Sequence, residues 1–310
     1  MTQYLVTGGA GFIGSHLVEA LLKEPDTTRV RVFDNLSTGR LDNLAGVEAN
    51  IEFIEGDLNQ QEALAEATQE IDIVYHLAAQ VSVPLSVEDP LTTNEINTIG
   101  ALNLLEAARA NRVKRLVFSS TCALYGDEPT LPKQETMPLF PLSPYAVSKL
   151  AAEGYCLNYM AHYGLETVIL RYFNVYGPRQ QPSSAYAGVI SLFIDRLLAE
   201  KPVTIYGDGE QARDFVYVTD VARANLLAGQ SRSAIGHILN IGAGLPTTIN
   251  ALYQTVSGLL EVNLPPQYGP PRAGDVRLSY ADTRLAQHHL GWQADVSLAN
   301  GLAQTISTML

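Results

Sequence analysis

A tyrosine and a lysine four positions apart are the residues of this chain best suited to move a proton. Tyr145 and Lys149 stand in the run Tyr-Ala-Val-Ser-Lys, and side chains at this spacing share one face of a helix. A neighbouring ammonium favours the ionised form of a phenol, whose ordinary pKa is about 10. Such a phenol can act as a general base, although ordinary exposed helices carry the same pair. The hydroxyl run from Ser119 to Thr121, at the end of a predicted strand, strengthens the interpretation.

A turn rich in glycine follows the first predicted strand. Gly8, Gly11 and Gly14 are spaced three apart, and Gly9, Gly11 and Gly14 also satisfy the dinucleotide fingerprint. Without side chains, the backbone can approach a pyrophosphate, and the N–H groups that open the next helix would point at that anion. A tight strand-to-helix corner shows the same glycines, so the spacing alone is a weak signal.

The second predicted strand supplies the context that the glycines need. It runs from Val30 to Phe33 and ends on Asp34, twenty positions after Gly14. A carboxylate there can accept hydrogen bonds from the ribose diol of an adenosine, so the two strands together predict a bound dinucleotide. Asp34 favours NAD because it would repel a 2'-phosphate, although Arg31 and Arg40 leave NADP open.

Composition limits the class of protein. The chain has 310 residues, of which 46% are hydrophobic, enough for a large core in one large or two moderate domains. A net charge of -12 argues against a nucleic-acid partner and an anionic membrane surface, since both need a basic face. Because no apolar run reaches eighteen residues and no signal-like segment opens the chain, we expect a soluble, cytoplasmic protein. Cys122 and Cys156 form no metal-ligand spacing and no disulfide framework.

The elements that must position these residues alternate between strand and helix. Strands predicted at 51–54, 71–76 and 115–118 are separated by helical runs, which indicates a parallel, doubly wound sheet with its site at the strand ends. Asp89-Pro90 and Ser143-Pro144 are each predicted to open a long helix.

From Gly177 onward the composition changes to that of a smaller lobe. The segments 203–206 and 215–217 are predicted to form a hairpin through Gly207 and Gly209. The predicted division assigns 1–176 and about 218–242 to the dinucleotide-binding domain, and 177–217 with 243–310 to a substrate lobe.

Several motifs together resemble the extended short-chain dehydrogenase/reductase family, and within it the nucleotide-sugar 4-epimerases. The resemblance covers nearly the whole chain. Beyond the glycine turn, the motifs that carry it are Asp34-Asn-Leu-Ser-Thr-Gly39, Gly56-Asp-Leu58, His76-Leu-Ala-Ala79, Asn97-x-x-Gly100, Tyr145-x-x-x-Lys149, Arg171-Tyr-Phe-Asn-Val-Tyr-Gly-Pro178 and Arg272-Ala-Gly-Asp275. The resemblance implies an α/β fold with a Rossmann-type doubly wound parallel sheet and a smaller interleaved α/β substrate lobe. It also implies a homodimer built from the helices that start near Asp89 and Ser143.

The same resemblance implies roles for individual residues. A Thr121, Tyr145, Lys149 triad would be catalytic, with Thr121 standing where these epimerases commonly carry serine. The implied contacts to a tightly held NAD come from Gly8, Gly11, Phe12, Ile13, Gly14, Asp34, Asn35, Ser37, Thr38, Gly39, Asp57, Leu58, Leu77, Ala78, Ala79, Asn97, Ser119, Tyr145, Lys149 and Tyr172. No metal is implied.

A related branch, the sugar-nucleotide 4,6-dehydratases, differs at two positions after the threonine. That branch has an Asp-Glu pair, which supplies the acid and base for losing water, whereas this chain has Cys122 and Ala123. Neither residue can protonate a leaving hydroxyl as a carboxylic acid would, so dehydration is disfavoured. Cys122 is interpreted as a packed, inert cysteine rather than a reactive thiol.

A substrate diphosphate on an acidic protein needs arginine, whose planar fork suits phosphate oxygens. The implied UDP-sugar contacts are Ser82, Thr121, Asn174, Tyr186, Val189, Tyr206, Arg213, Arg272, Asp275 and Ser279. Ser279 resembles the family's gate beside the hexose 2-substituent, where a small residue admits an N-acetyl group. It favours UDP-N-acetylglucosamine and UDP-N-acetylgalactosamine and leaves UDP-glucose and UDP-galactose open, with UDP-glucuronate a weaker alternative.

The expected activity is therefore NAD-dependent 4-epimerisation of a UDP-hexose through a transient 4-keto sugar. Two other classes remain open from the sequence. One is a sugar-nucleotide oxidoreductase that releases its cofactor each turn, and the other is a non-catalytic NAD-binding regulator, against which the intact triad speaks.

Overall fold

The computed structural model of the chain describes residues 1–180, 188–271 and 276–310. The strands are β1 (Thr2–Thr7), β2 (Thr27–Asp34), β3 (Glu52–Glu55), β4 (Ile73–His76), β5 (Arg115–Thr121), β6 (Glu166–Tyr172), β7 (Asn174–Tyr176), β8 (Thr204–Tyr206), β9 (Ala212–Tyr217), β10 (Ile238–Ile241), β11 (Pro246–Thr248), β12 (Gln267–Gly269) and β13 (Leu278–Ser279). The α-helices are α1 (Phe12–Leu22), α2 (Gln61–Ala67), α3 (Val83–Glu88), α4 (Pro90–Asn94), α5 (Gly100–Ala110), α6 (Pro144–Tyr163), α7 (Val189–Leu198), α8 (Val218–Gln230), α9 (Ile249–Leu260), α10 (Arg284–Leu290) and α11 (Leu298–Ser307).

Seven parallel strands form the central sheet, in the order β10-β6-β5-β4-β1-β2-β3. The chain winds outward from β1 in one direction through β2 and β3, then crosses back to continue through β4, β5 and β6. Strand order therefore reverses beside β1, and ligands of such sheets bind in the crevice at this point, outside the carboxyl ends of the strands. The predicted doubly wound parallel sheet is confirmed.

Helices cover both faces of this sheet, as parallel sheets require. On one face, Leu17 and Val18 of α1 pack with Val221 of α8 against the strands. On the other face, Leu64 of α2 and Leu104 of α5 pack with residues of α6. Buried on both sides, the central strands read as continuous apolar runs rather than as alternating patterns.

Two of the predicted long helices have different outcomes. Ser143 caps α6 by accepting a hydrogen bond from the Ala146 N–H at 3.2 Å, and the helix ends at Gly164 with a φ of 73°. The helix expected from Asp89 is interrupted, because a π-helical turn at Glu95–Ile99 separates α4 from α5. Within the described ranges, no helix combines the length and apolar character needed to cross a bilayer.

The smaller lobe contains two further sheets. β9 pairs in parallel with β7 and β13 and antiparallel with β11, while β8 pairs only with β12 among the described strands. The hairpin predicted between 203–206 and 215–217 is therefore wrong. Gly207 and Gly209 both have a φ of 76°, and the turn they form leads β9 away into the other sheet instead of back along β8.

The boundary between the lobes remains a prediction. β10 lies at the edge of the central sheet, as expected for a chain that returns to the first lobe. However, α10 and the fully buried Trp292 also pack in the core of that lobe, although they fall within the 243–310 range assigned to the substrate lobe. Sequence spacing gave no sign of this second return, because α10 is only seven residues long.

Candidate active site

The glycine turn brings the start of α1 against the end of β1. Gly8 has a φ of 72°, and a Cβ on Gly14 would lie 2.1 Å from the Gly8 carbonyl oxygen, so neither position accommodates a larger residue. α1 begins after Gly11, and no side chain caps its first N–H groups. These groups carry the positive end of the helix dipole, which makes the turn a ready anion site.

Asp34 ends β2 beside this turn. Its two carboxylate oxygens accept hydrogen bonds from the Ala10 N–H and the Leu36 N–H, each at 2.9 Å. A carboxylate offers about four acceptor sites, so two remain for the hydroxyls of a ribose. Burial raises the pKa of Asp34, and the two N–H donors oppose that shift. Gly39, in the loop after β2, lies so near Asp34 that an added Cβ would be only 2.8 Å from Asp34 Oδ1. The absence of a side chain at Gly39 therefore lets this loop lie against the carboxylate.

The other predicted cofactor residues lie around this crevice. Phe12 and Ile13 open α1, and Ser37 N–H donates to Asn35 Oδ1 at 3.1 Å. Asn35 also donates to Asp57 Oδ2 at 2.7 Å, which joins the ends of β2 and β3. The residues that follow β4 are Leu77, Ala78 and Ala79, and Ala78 contacts Gly8. Leu58, after β3, contacts Gly100. Thr38 belongs to the same loop as Ser37.

The hydrogen bonds of Asn97 go to other parts of the protein. It is buried in the π-helical turn, where its amide bonds the backbone of Gln80 in both directions, at 2.8 and 2.9 Å. It also donates to Ser148 Oγ at 3.0 Å, and Ser148 is one turn from Tyr145. Asn97 therefore fixes the loop after β4 relative to α6, and a contact to NAD remains a prediction.

The glycine turn and Asp34 together fit a dinucleotide. A cradle without side chains faces uncapped helix N–H groups, and a carboxylate with spare acceptor sites stands at the next strand end. NAD would be held by these residues, with its pyrophosphate at the start of α1 and its adenosine ribose at Asp34.

The predicted triad comes together at the carboxyl end of β5. The Tyr145 phenol hydrogen bonds to the side chain of Thr121, whose Oγ1 also accepts from the Ala123 N–H at 3.1 Å. One turn further along α6, Lys149 Nζ donates to the carbonyl oxygen of Ser119 at 2.9 Å. It also lies 4.8 Å from the centre of the Phe118 ring. The spacing on the helix therefore places both side chains over the last residues of β5.

Burial controls the protonation of these two residues. It raises the pKa of Tyr145 to about 12, against the lowering effect of the Thr121 hydrogen bond. It lowers the pKa of Lys149 to about 8, because a buried ammonium loses its hydration. Burial thus disfavours the phenolate of Tyr145, and the phenolate expected beside Lys149 stays a prediction.

Three of the predicted substrate residues, Asn174, Arg213 and Ser279, lie on the sheet around β9. Ser279 of β13 is in register with Arg213 of β9, and Asn174 of β7 is paired with Phe215. Ser82 caps α3 by accepting from the Leu85 N–H at 3.2 Å, Val189 opens α7, and Tyr206 ends β8. Tyr186, Arg272 and Asp275 lie outside the described residues.

With this geometry established, comparison with known proteins identifies the family. The model of the NAD dependent epimerase/dehydratase family matches residues 4–242. The chain belongs to this family.

Relatives of this epimerase/dehydratase family member match over almost its full length. The UDP-glucose 4-epimerase of Mycolicibacterium smegmatis is 41% identical and covers 97% of this chain and 96% of its own. The structure of UDP-glucose 4-epimerase from Thermotoga maritima, solved with UDP-glucose, is 42% identical with a TM-score of 0.94, covering 99% and 98% of the two chains. UDP-N-acetylglucosamine 4-epimerase from Methanobrevibacter ruminantium, solved with UDP-N-acetylmuramic acid, is 39% identical with a TM-score of 0.95 and the same coverage, 99% and 98%.

These matches confirm the predicted family, the fold class and the NAD cofactor. The predicted 4-epimerase activity agrees with the names of all three proteins. The roles of single residues stay predictions.

Three polar residues near the site were not predicted from the sequence. Tyr172 OH donates to Asn225 Oδ1 at 2.8 Å, so Ser119 Oγ must donate to Tyr172 at 2.9 Å. His76 Nδ1 lies 2.8 Å from Thr7 Oγ1, and burial lowers the pKa of His76 to about 3, which keeps the ring neutral. In the sequence, His76 begins the motif His76-Leu-Ala-Ala79 but had no assigned role, and Asn225 stands in no motif.

Asp214 is the third of these residues and connects three segments. Its carboxylate accepts hydrogen bonds from the N–H groups of Ala243 at 2.6 Å, Gly244 at 2.9 Å and Ala281 at 2.9 Å. Burial raises its pKa to about 6 in spite of these donors. The residue next to Arg213 therefore ties β9 to the loop after β10 and to the chain after β13.

Gly14→Ala should remove bound cofactor from this family member. The new Cβ would overlap the Gly8 carbonyl oxygen at 2.1 Å and force α1 away from the turn. We expect NAD affinity to fall by at least about tenfold, equivalent to about 1.4 kcal/mol. The measurement is the NAD released per chain after denaturation. Gly258→Ala, in a helix with open space around that position, is the control and should retain NAD; equal NAD content in both variants would contradict the proposed cradle.

Proposed function

We propose that this protein interconverts UDP-hexoses that are epimeric at C4, through a transient 4-keto sugar and with NAD retained between turnovers. The observation that carries the proposal is the Thr121, Tyr145 and Lys149 arrangement at the end of β5, next to a dinucleotide cradle. The names of the relatives support the reaction.

The triad supplies the proton transfer. Tyr145 takes the proton from the sugar O4 hydroxyl while the C4 hydrogen departs as a hydride, so that the C4–O4 bond becomes a carbonyl. NAD supplies the hydride acceptor, and its positive ring charge favours the phenolate that burial alone disfavours. Thr121 hydrogen bonds to the same phenol and is placed to hold O4. After the keto sugar presents its other face, Tyr145 returns the proton as the hydride returns to C4, so net redox is zero.

Dehydration lacks the residues it needs. Cys122 occupies the first position after the threonine, and burial raises the pKa of its thiol to about 12. A protonated thiol of this kind is a poor acid for a leaving hydroxyl, and Ala123 has no functional group. The interpretation of Cys122 as inert is consistent with this shift.

We further propose that the 2-position of the sugar lies near Ser279. This residue is in register with Arg213, one of the two arginines proposed for the diphosphate, and its side chain is small and half-buried. A small side chain leaves room for an N-acetyl group, so UDP-N-acetylglucosamine and UDP-N-acetylgalactosamine are the favoured pair, with UDP-glucose and UDP-galactose as second substrates.

The first test compares sugars without added NAD. We expect UDP-N-acetylglucosamine to yield its C4 epimer, measured by proton NMR, with slower conversion of UDP-glucose and least of UDP-glucuronate. Denatured protein should release NAD or NADH, because a cofactor oxidised and reduced in each turnover need not leave. If neither hexose is epimerised, the proposal is wrong. If product forms only with added cofactor and equals the NADH change, the protein is instead an oxidoreductase that releases its cofactor.

The second test removes the phenol oxygen. Tyr145→Phe should lower turnover by at least about 100-fold, the usual contribution of a positioned acid–base group, while NAD remains bound. Tyr163→Phe is the matched control, since Tyr163 lies exposed at the end of the same helix. Full activity in the Tyr145 variant would exclude this residue from the mechanism.

We also propose a homodimer in the cytoplasm. α3 and α4 pack beside α6, and these three helices with the π-helical turn expose a set of apolar side chains of the kind that marks interfaces. They are Val83, Leu85, Val87, Leu91, Ile99, Val147 and Tyr155. A second copy of the chain is the partner that the family resemblance implies.

Sedimentation equilibrium should give twice the chain mass of 33.6 kDa. Leu91, which is 82% exposed on α4, should give monomers when changed to Glu, because a charge would be buried in the interface. Leu245→Glu is the control, as Leu245 is 68% exposed outside these helices. A monomeric unmodified protein would contradict the dimer, and a dimer in both variants would contradict its location.

A further inference from the structure

Three side chains on one face of α6 each contact the last residues of β5. Tyr145, Lys149 and Glu153 are spaced four apart, and they bond respectively to Thr121, to the Ser119 carbonyl, and to Ser120 Oγ. The first two belong to the proposed catalytic triad. The third contact is a short hydrogen bond of 2.5 Å from Ser120 to Glu153 Oε1.

Glu153 is held at the same time by a buried arginine. Arg171 Nε donates to Glu153 Oε1 at 3.0 Å, and Arg171 Nη2 donates to Oε2 at 2.8 Å. The two side chains are only 3% and 2% exposed. Arg171 is braced in turn by Tyr125, whose hydroxyl accepts from Nη1 at 3.1 Å and donates to Asn240 Oδ1 at 2.6 Å. The carboxylate thus links α6 to β5, β6 and, through Tyr125, to β10.

Stability alone is a poor reason for this ion pair. Removing two charges from water costs several kcal/mol per ion, and apolar residues of similar volume are often equal or better for stability. What apolar residues cannot supply is directional bonding to Ser120 and a fixed charge close to Lys149. Both of these act on the catalytic face of α6.

The surroundings make the Glu153 charge effective. Around Lys149, His76 on β4 is neutral near pH 7, and burial raises the pKa of Cys156 on α6, so that thiol is neutral as well. Burial raises the pKa values of Tyr172 on β6 and of Cys122, beside Tyr145, to about 12. Burial lowers the pKa of Lys149, and the Glu153 carboxylate four residues further along α6 opposes this shift, with Arg171 paired to its other side.

We propose that Glu153 is a positioning residue for the reaction: held by Ser120 and Arg171, its carboxylate fixes α6 on β5 so that Tyr145 meets Thr121 and Lys149 meets the Ser119 carbonyl. The inference rests on the proposed epimerase function. It assigns to Glu153 no contact with substrate or cofactor.

The decisive variant is Glu153→Gln, in which the amide oxygen still accepts from Ser120 but the negative charge is lost. We expect kcat to fall about tenfold with KM changed less than about threefold, because orientation rather than binding is lost. Loss of a nearby negative charge lowers the pKa of Lys149, because the ammonium loses a stabilising neighbour. It also lowers the pKa of Tyr145, because the phenolate loses a repelling one. Both limbs of the pH–rate profile should therefore move to lower pH, by roughly half a unit or more.

The matched control is Glu166→Gln. Glu166 pairs with the buried Arg115 at 2.7 Å, at the opposite ends of β5 and β6 from the triad. This variant removes the charge of another arginine-bound glutamate, one that joins β5 to β6 away from α6, so it should leave kcat and both pH limbs unchanged. Equal effects of the two Gln variants would overturn the inference, as would an unshifted profile in Glu153→Gln.

Two further variants cover the case in which Glu153→Gln does not fold. Ser120→Ala removes one hydrogen bond and keeps the charges, so kcat should fall without any shift of the pH limbs. The neutral pair Glu153→Leu with Arg171→Met is of the kind that usually folds and should lose at least as much kcat as Ser120→Ala. Wild-type kcat in the neutral pair would overturn the inference.

A readout without turnover separates this inference from the proposed function. Tyrosines labelled at Cζ can be titrated by carbon-13 NMR, with the Tyr145 signal identified by its absence in Tyr145→Phe. Glu153→Gln should lower the Tyr145 midpoint, and Glu166→Gln should not. If the unmodified protein does not epimerise UDP-hexoses, the proposed function fails, while this titration still decides whether Glu153 controls the charge state of the helix face.

Discussion

The close approach of α1 to the end of β1 is the contact on which the rest of the site depends. It exists because Gly14 can lie against the Gly8 carbonyl, where any Cβ would overlap it. That contact places the helix N-terminus at the point where strand order reverses, between β2 and β4. Asp34 and the small residues after β4 flank the same crevice, so this contact places all of them around one site. A single backbone contact therefore decides where an anionic cofactor can lie, and the triad at the end of β5 must face that place.

Burial, more than neighbouring charge, governs the chemistry of the residues around this crevice. It raises the pKa of Tyr145, lowers the pKa of Lys149 and keeps His76 neutral. These shifts favour an uncharged Tyr145 phenol and make the Lys149 ammonium easier to deprotonate. A positive group that entered the site would favour the Tyr145 phenolate. In the proposed mechanism, proton transfer would therefore depend on the presence of oxidised cofactor, which suits a cycle in which hydride and proton leave together and return together.

Much of the first lobe could be predicted from the sequence because its signals are local. The glycine turn, the strand that ends on Asp34 and the Tyr145–Lys149 spacing each need fewer than about 25 residues to be recognised, and the parallel sheet follows from their alternation. The smaller lobe could not be predicted in the same way. β9 pairs with β7, β11 and β13, and no local pattern separates that arrangement from a hairpin with β8. Asp214 and Asn225 escaped attention for the same reason, because their partners are distant in the chain or lie on other elements.

The way the lobes are joined supports the proposal that sugar preference depends on Ser279. Asp214 binds the backbone of Ala281, and Lys133 of the first lobe donates its N–H to the Tyr280 carbonyl at 2.8 Å and accepts from the Asp282 N–H at 2.8 Å. The segment after Ser279 is thus fixed from both lobes. Neighbouring strands lie about 4.8 Å apart, and residues in register project to the same side of the sheet, so Ser279 and Arg213 keep a constant separation. With the backbone fixed in this way, the free volume beside the proposed diphosphate site would change mainly with the size of residue 279. A larger side chain there would remove space for a bulky 2-substituent without disturbing the triad, because Tyr145 is held by contacts to β5 rather than by this segment.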